Sequence, residues 1–119
     1  MGDATRASGD QPAPRVGFAV LYRWRLRQGL EPAFQEAWAR VTEAYLEQRG
    51  ALGSRLHRSD DGLWVAYAQW PNRAAWERAQ QASAVDVEAA QRMAEAIEES
   101  LEPILLHPCA DYLLPRSPR

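Results

Sequence analysis

The chain has no lysine: all 14 of its basic residues are arginine. Arginine cannot form a Schiff base, so covalent amine catalysis is excluded. Cys109 is the single cysteine, which excludes intramolecular disulfides and thiolate zinc clusters and suits a reducing cytosol. There are 2 histidines, His57 and His107, and no His, Cys and carboxylate cluster has metal-ligand spacing, so no metal is expected. With 16 acidic against 14 basic residues the net charge is -2, without the basic face that nucleic-acid binders carry. No apolar run approaches membrane-spanning length, and the first residues lack the apolar core of a signal peptide. The expectation is a cytoplasmic protein with no nucleic-acid and no membrane partner.

What is present is an ordinary globular composition. The chain is 46% hydrophobic and 25% charged over 119 residues, enough for one domain. Residues 1–14 are rich in Gly, Asp, Ala, Ser, Gln and Pro and read as a mobile leader, residues 115–119 as a short tail, and 15–114 as the folded domain.

Within that domain the periodicity changes in a definite order. Val16, Phe18, Val20, Tyr22, Trp24 and Leu26 alternate with Gly17, Ala19, Leu21, Arg23, Arg25 and Arg27, a period-2 strand with one apolar face. Gly29 turns the chain and Pro32 suits a first helical turn. Phe34, Trp38, Val41 and Tyr45 then recur at helical spacing, and Gly50 stands where a helix C-terminus wants it. Residues 51–59 read as a second strand, 60–62 as an Asp-Gly hairpin and 63–70 as a third strand. A short helix from Asn72 to about Gln81 follows. Ser83 with Asp86 resembles a capping box, ahead of a helical stripe of Ala90, Met93, Ala94, Ile97 and Leu101 that Pro103 stops. Residues 104–114 read as the last strand.

The order βαββαβ with right-handed crossovers is that of a ferredoxin-like α+β fold, an antiparallel sheet with helices on one face. The third strand is apolar on both faces: Leu63, Val65 and Tyr67 on one, Trp64, Ala66, Ala68 and Trp70 on the other. The helices cover one face, and the second face, left in water, is a larger apolar patch than a soluble monomer exposes. A homodimer that packs the two sheets together, burying on the order of 1,500 Å² or more, removes it.

The most informative stretch is Tyr67-Ala68-Gln69-Trp70-Pro71-Asn72-Arg73-Ala74-Ala75-Trp76. Pro71 ends the strand, Asn72 can cap the next helix, and Trp70 and Trp76 flank the corner, where a small domain can shape an apolar pocket. Both indoles have two readings, as core fillers or as walls for a flat ligand. Tyr22 and Trp24 share the apolar face of the first strand, as core or as site residues. His57 is the general-base candidate on chemical grounds, histidine being the side chain whose unperturbed pKa lies near neutrality, yet it shares a strand face with Arg55 and reads rather as a surface or dimer-interface residue. Arg23, Arg25 and Arg27 form a basic row, open to an anionic substrate or to ion pairing. Cys109 reads as a small buried or interfacial hydrophobe.

Gly53-Ser54-Arg55-Leu56-His57-Arg58-Ser59-Asp60-Asp61-Gly62 and Tyr67-Ala68-Gln69-Trp70, together with the element order from Val16 to Leu114, resemble the antibiotic biosynthesis monooxygenase family. The resemblance implies a dimeric α+β barrel and a cofactor-free oxidation of a planar aromatic, polyketide or quinol-like molecule by dioxygen, the deprotonated substrate being the electron donor. It implies a cavity shaped by Trp70, Trp76 and Tyr67, with Trp24 in its wall and Tyr22, Tyr45 or His57 as the polar partner. The family's polyketide-tailoring members carry an Asn one residue before the Tyr-Ala-Gln-Trp run and a Tyr six residues after its Trp. Here these positions are Ala66 and Trp76, neither of which supplies the same hydrogen-bonding group. The family's haem-degrading branch uses an Asn in the first strand and a His at the end of the second helical region, and neither is present. A binding or interaction module on the same fold is the alternative.

Overall fold

A computed structural model describes residues 15–114; the leader and the tail expected from the sequence lie outside them. Among the described residues the elements are β1 (Phe18–Leu26), α1 (Glu31–Gln48), β2 (Gly53–Arg58), β3 (Trp64–Trp70), α2 (Arg73–Gln81), α3 (Val87–Ala96), β4 (Ile97–Ser100) and β5 (Ile104–Leu106). They form an α+β fold with one antiparallel sheet in the order β2-β3-β1-β4, with β5 also on β1. This is the ferredoxin-like arrangement, its fourth strand broken into β4 and β5.

Local chemistry sets the boundaries. Gly29, at φ +89°, turns the chain into α1. The hairpin closes through Ser59 N–H donating to the Leu63 carbonyl at 2.8 Å, with Gly62 in the left-handed region at φ +89°. At the β3–α2 corner the Asn72 side chain accepts from the Ala75 N–H at 2.8 Å and caps α2. Gly17 donates its N–H to the Trp70 carbonyl at 3.0 Å, and a Cβ on it would stand 2.3 Å from the Pro71 carbonyl oxygen. The corner therefore needs glycine there.

Three sequence expectations are corrected. The helical stripe does not run through Ile97 to Leu101. α3 ends at Ala96, and Ile97–Ser100 joins the edge of β1, with Leu26 opposite Ile97 and Trp24 opposite Ser100. Ile97 is apolar toward the core either way, so helical spacing persists in the sequence while the unpaired edge of β1 takes the backbone. Capping here comes from Asp86 alone, whose carboxylate accepts from the Ala89 N–H at 3.0 Å. The last strand, expected over 104–114, stops at Leu106. In the β1 register Ala19 faces Leu106, so the next pairs would bring Pro108, which has no N–H to donate, opposite Gly17.

Helices and sheet share a core of two clusters on one face. Phe18, Val20 and Trp70 pack against Ala75 and Ala79 of α2. Trp24, Leu26 and Ala66 pack against Phe34 of α1 and Ala96 of α3. On the other face Leu21, Val65, Tyr67 and Leu106 stay half-buried and Ile104 is exposed. No helix covers them among the described residues.

Candidate functional site

The two core clusters do not close on each other. Between sheet and helices lies a cavity of about 330 Å³, within the roughly 300–1,000 Å³ range of small-molecule sites. Its sheet wall is Tyr22 and Trp24 from β1, Ala68 and Trp70 from β3, and Gly53 and Ser54 from β2. Trp38, Val41, Thr42 and Tyr45 line it from α1, Gln80 from α2, and Ala90, Met93 and Ala94 from α3, with Ile97 beside them. No charged side chain lines it.

Strand parity decides which candidates meet here. Register places Phe18 opposite Trp70, Val20 opposite Ala68 and Tyr22 opposite Ala66, all facing the helices. Tyr22 and Trp24 stack with centroids 5.8 Å apart and planes 7° from parallel. Tyr45 meets Trp70 edge-on at 5.9 Å and 74°. Trp70 is only 3% exposed, and its Nε1–H is buried without a hydrogen-bond partner. A buried orphan donor costs about 1–3 kcal/mol, an expense the fold does not recover by protein contacts.

Trp76 stands just behind the wall. Its Nε1–H donates to the Tyr22 hydroxyl at 2.9 Å, and its ring packs on Phe18 with centroids 5.6 Å apart. Burial raises the Tyr22 pKa above its ordinary value; the Trp76 hydrogen bond opposes that and Tyr45 adds to it. Tyr22 is thus a neutral phenol at physiological pH.

Two candidates are elsewhere. Tyr67 faces the opposite side of the sheet, beside Arg55 in register, because it and Trp70 are an odd number of residues apart on one strand. It borders a separate depression on that face with Gln69, Leu106, His107 and Tyr112. His57 is exposed on β2, faces away from the cavity, and accepts at Nε2 from Arg55 Nε at 3.0 Å. His107 packs edge-on against Phe18, 5.4 Å between centroids. Neither histidine lines the cavity, so it offers no imidazole to a haem iron or to a substrate proton. Among the described residues no three His, Cys, Asp or Glu side chains group as a metal site.

The basic row is tied down: Arg25 pairs with Glu99 at 3.4 Å, while Arg23 and Arg27 donate to the carbonyls of Glu102 and Glu95 at 3.2 Å. Cys109, read from the sequence as a buried or interfacial hydrophobe, is exposed in the single chain, with its thiol donating to the His107 carbonyl at 3.3 Å. Trp38, Thr42, Ser54 and Met93 were not singled out as site residues. The signal for Trp38 was its place on the stripe with Tyr45, and for Met93 its place on the α3 stripe; Thr42 and Ser54 carried none.

The antibiotic biosynthesis monooxygenase profile matches residues 17–95, two thirds of the chain. The chain belongs to this family. Comparison with curated proteins gives no match. The fold is shared with SnoaB from Streptomyces nogalater, described as a cofactor-independent oxygenase, at TM-score 0.66 and 21% identity, covering 86% of this chain and 100% of that one. It is shared with Rv0793 from Mycobacterium tuberculosis at TM-score 0.65 and 16% identity, over 81% and 98% of the two chains. PA3566 from Pseudomonas aeruginosa follows at TM-score 0.58 and 21% identity, over 82% and 99%. In this member of the family Trp70 stands in the cavity wall, whereas Ala66, 1% exposed, is core against Phe34 and Trp24. No described helix is long and apolar enough to cross a membrane.

Proposed function

We propose that the protein is a small cofactor-independent monooxygenase that oxidises a planar aromatic, polyketide or quinol-like molecule with dioxygen. The observation that carries this reading is the cavity: aromatic walls, no charge, and a neutral phenol at Tyr22. Family membership and the likeness in fold to an oxygenase that works without a cofactor support it.

The chemistry asks little of the protein. An acidic methylene or phenol loses a proton, and the resulting anion reduces dioxygen. For a methylene the balance is R2CH2 + O2 → R2CO + H2O: one oxygen atom enters the substrate, the other leaves as water, and no outside reductant is needed. Trp24, Trp38 and Trp70 hold the flat ring system and exclude water, while Tyr22 and Tyr45 supply the phenolic hydroxyls of the wall beside the aliphatic ones of Thr42 and Ser54. A donor aimed at the developing oxyanion stabilises it more in such a dry site than in water. The cavity lining contains no general base, so the substrate must ionise readily by itself, as anthrones and hydroquinols do.

That same absence, with Ala66 and Trp76 at the two variant positions, favours the second reading, a module that binds an aromatic molecule without oxidising it. An oxygen electrode separates them. Dioxygen uptake with an anthrone or hydroquinol panel, above the spontaneous rate, is expected; no excess with any substrate would leave the binding module.

The uncovered face of Leu21, Val65, Tyr67, Ile104 and Leu106 is the proposed homodimer contact, sheet against sheet. The proposal puts the enzyme in the cytoplasm, where the exposed Cys109 stays reduced.

A further inference from the structure

Trp76 does not line the cavity, yet it decides what the cavity wall presents. An indole N–H only donates, so the 2.9 Å contact fixes the Tyr22 oxygen as the acceptor. The phenol has one proton, and Trp76 cannot take it. No other hydrogen bond engages Tyr22 among the described residues. We propose that Trp76 aims the Tyr22 hydroxyl as a donor, so that the cavity selects planar ligands carrying a carbonyl or phenolate oxygen against those lacking an acceptor. This inference rests on the reading of the cavity as an aromatic site and adds to it a point of selection.

The surroundings support it. Tyr22 sits at the seam between the two core clusters, packed against both. Trp24 stacks parallel to it and holds the phenol in its plane. Apart from Tyr22 the polar groups of the lining are Thr42, Tyr45, Ser54, Gln80 and the unpartnered Trp70 Nε1–H; the rest is apolar, and a ligand oxygen set against it would lose its water contacts with little return. A ligand that presents an N–H at that place meets a second donor. Trp76 is a positioning residue: it acts through Tyr22 and touches no ligand. A Tyr at position 76 would offer a phenol of its own; with Trp the phenol comes from β1 instead.

The test uses two probes of nearly one shape, 9-fluorenone and fluorene, the second lacking the carbonyl. Affinities are measured by equilibrium dialysis, and the carbonyl stretch of bound fluorenone by infrared difference spectroscopy. Tyr22→Phe should weaken fluorenone binding by about two- to tenfold, the worth of one net hydrogen bond. It should leave fluorene unchanged and move the carbonyl band toward its position in an apolar solvent. Trp76→Phe should lower the fluorenone-to-fluorene ratio in the same direction with a smaller band shift, since the hydroxyl is then free to turn. Fluorene affinity in each variant reports that the cavity still stands. A ratio and a band unchanged by Tyr22→Phe overturn the inference alone. Failure of both probes to bind the unmodified protein overturns the aromatic-site reading, and the inference with it.

Discussion

Trp70→Phe distinguishes an indole that holds the core together from one kept for a ligand. Trp70 is 3% exposed, which by itself marks a core residue. Replacing indole by phenyl removes two carbons and the N–H. At about 0.8 kcal/mol per buried methylene equivalent the lost packing costs roughly 1.5 kcal/mol. The N–H has no partner, and removing a buried orphan donor returns about 1–3 kcal/mol. The two terms nearly cancel, so the variant should stay within about 1 kcal/mol of the parent, a shift of some 4–8 °C or less in a domain of this size. Phe34→Ala is the contrast. Phe34 is fully buried between Trp24 and Trp64, and its truncation should cost about 3–5 kcal/mol, roughly 15 °C or more. Thermal unfolding followed by circular dichroism reads both. A Trp70→Phe loss as large as that of Phe34→Ala would refute the reasoning, because the indole would then be ordinary core.

The Asp86 carboxyl is held below its ordinary value, first by the Ala89 N–H and then by Arg40 at 3.0 Å. Its contribution is therefore present above about pH 4 and lost as pH falls through the lowered folded value. Urea midpoints between pH 5 and 2.5 should fall less steeply in Asp86→Asn, which keeps an acceptor oxygen for the cap. Tyr22, whose pKa burial raises, contributes in the opposite sense, fully below about pH 10 and progressively less above it. Absorbance titration near 295 nm should show one late phenol that Tyr22→Phe removes. Analytical ultracentrifugation at micromolar concentration should show a dimer, and a single species near the 13.4 kDa chain mass would contradict the two-sided reading of β3.

Much of this arrangement was legible because short-range chemistry wrote it. Pro71 and Asn72 mark the corner, Asp61 and Gly62 the hairpin, and the alternation from Phe18 to Leu26 puts Tyr22 and Trp24 on the helix side. The same alternation already separated Tyr67 from Trp70, so assigning both to one cavity conflicted with the period of the strand. The Trp76–Tyr22 bond spans 54 residues, and nothing local in either segment announces it. The switch at Ile97 was hidden for another reason: helix stripe and strand edge both want an apolar side chain there. The gap between the core clusters depends on how α1, α2 and α3 sit over the sheet, which no single segment encodes.

The account's central claim is that this cavity directs dioxygen onto a flat aromatic substrate, and isotope labelling tests it most directly. Anthrone is supplied with 18O2 and metal-stripped, flavin-free protein. The expected result is anthraquinone carrying one 18O atom, one dioxygen consumed per product, formed faster than in buffer. The rate gain should fall sharply in Trp70→Ala and persist in His57→Ala, whose side chain lies outside the cavity. A rate equal to that of buffer, or a gain that survives loss of Trp70 and vanishes with His57, would contradict the account.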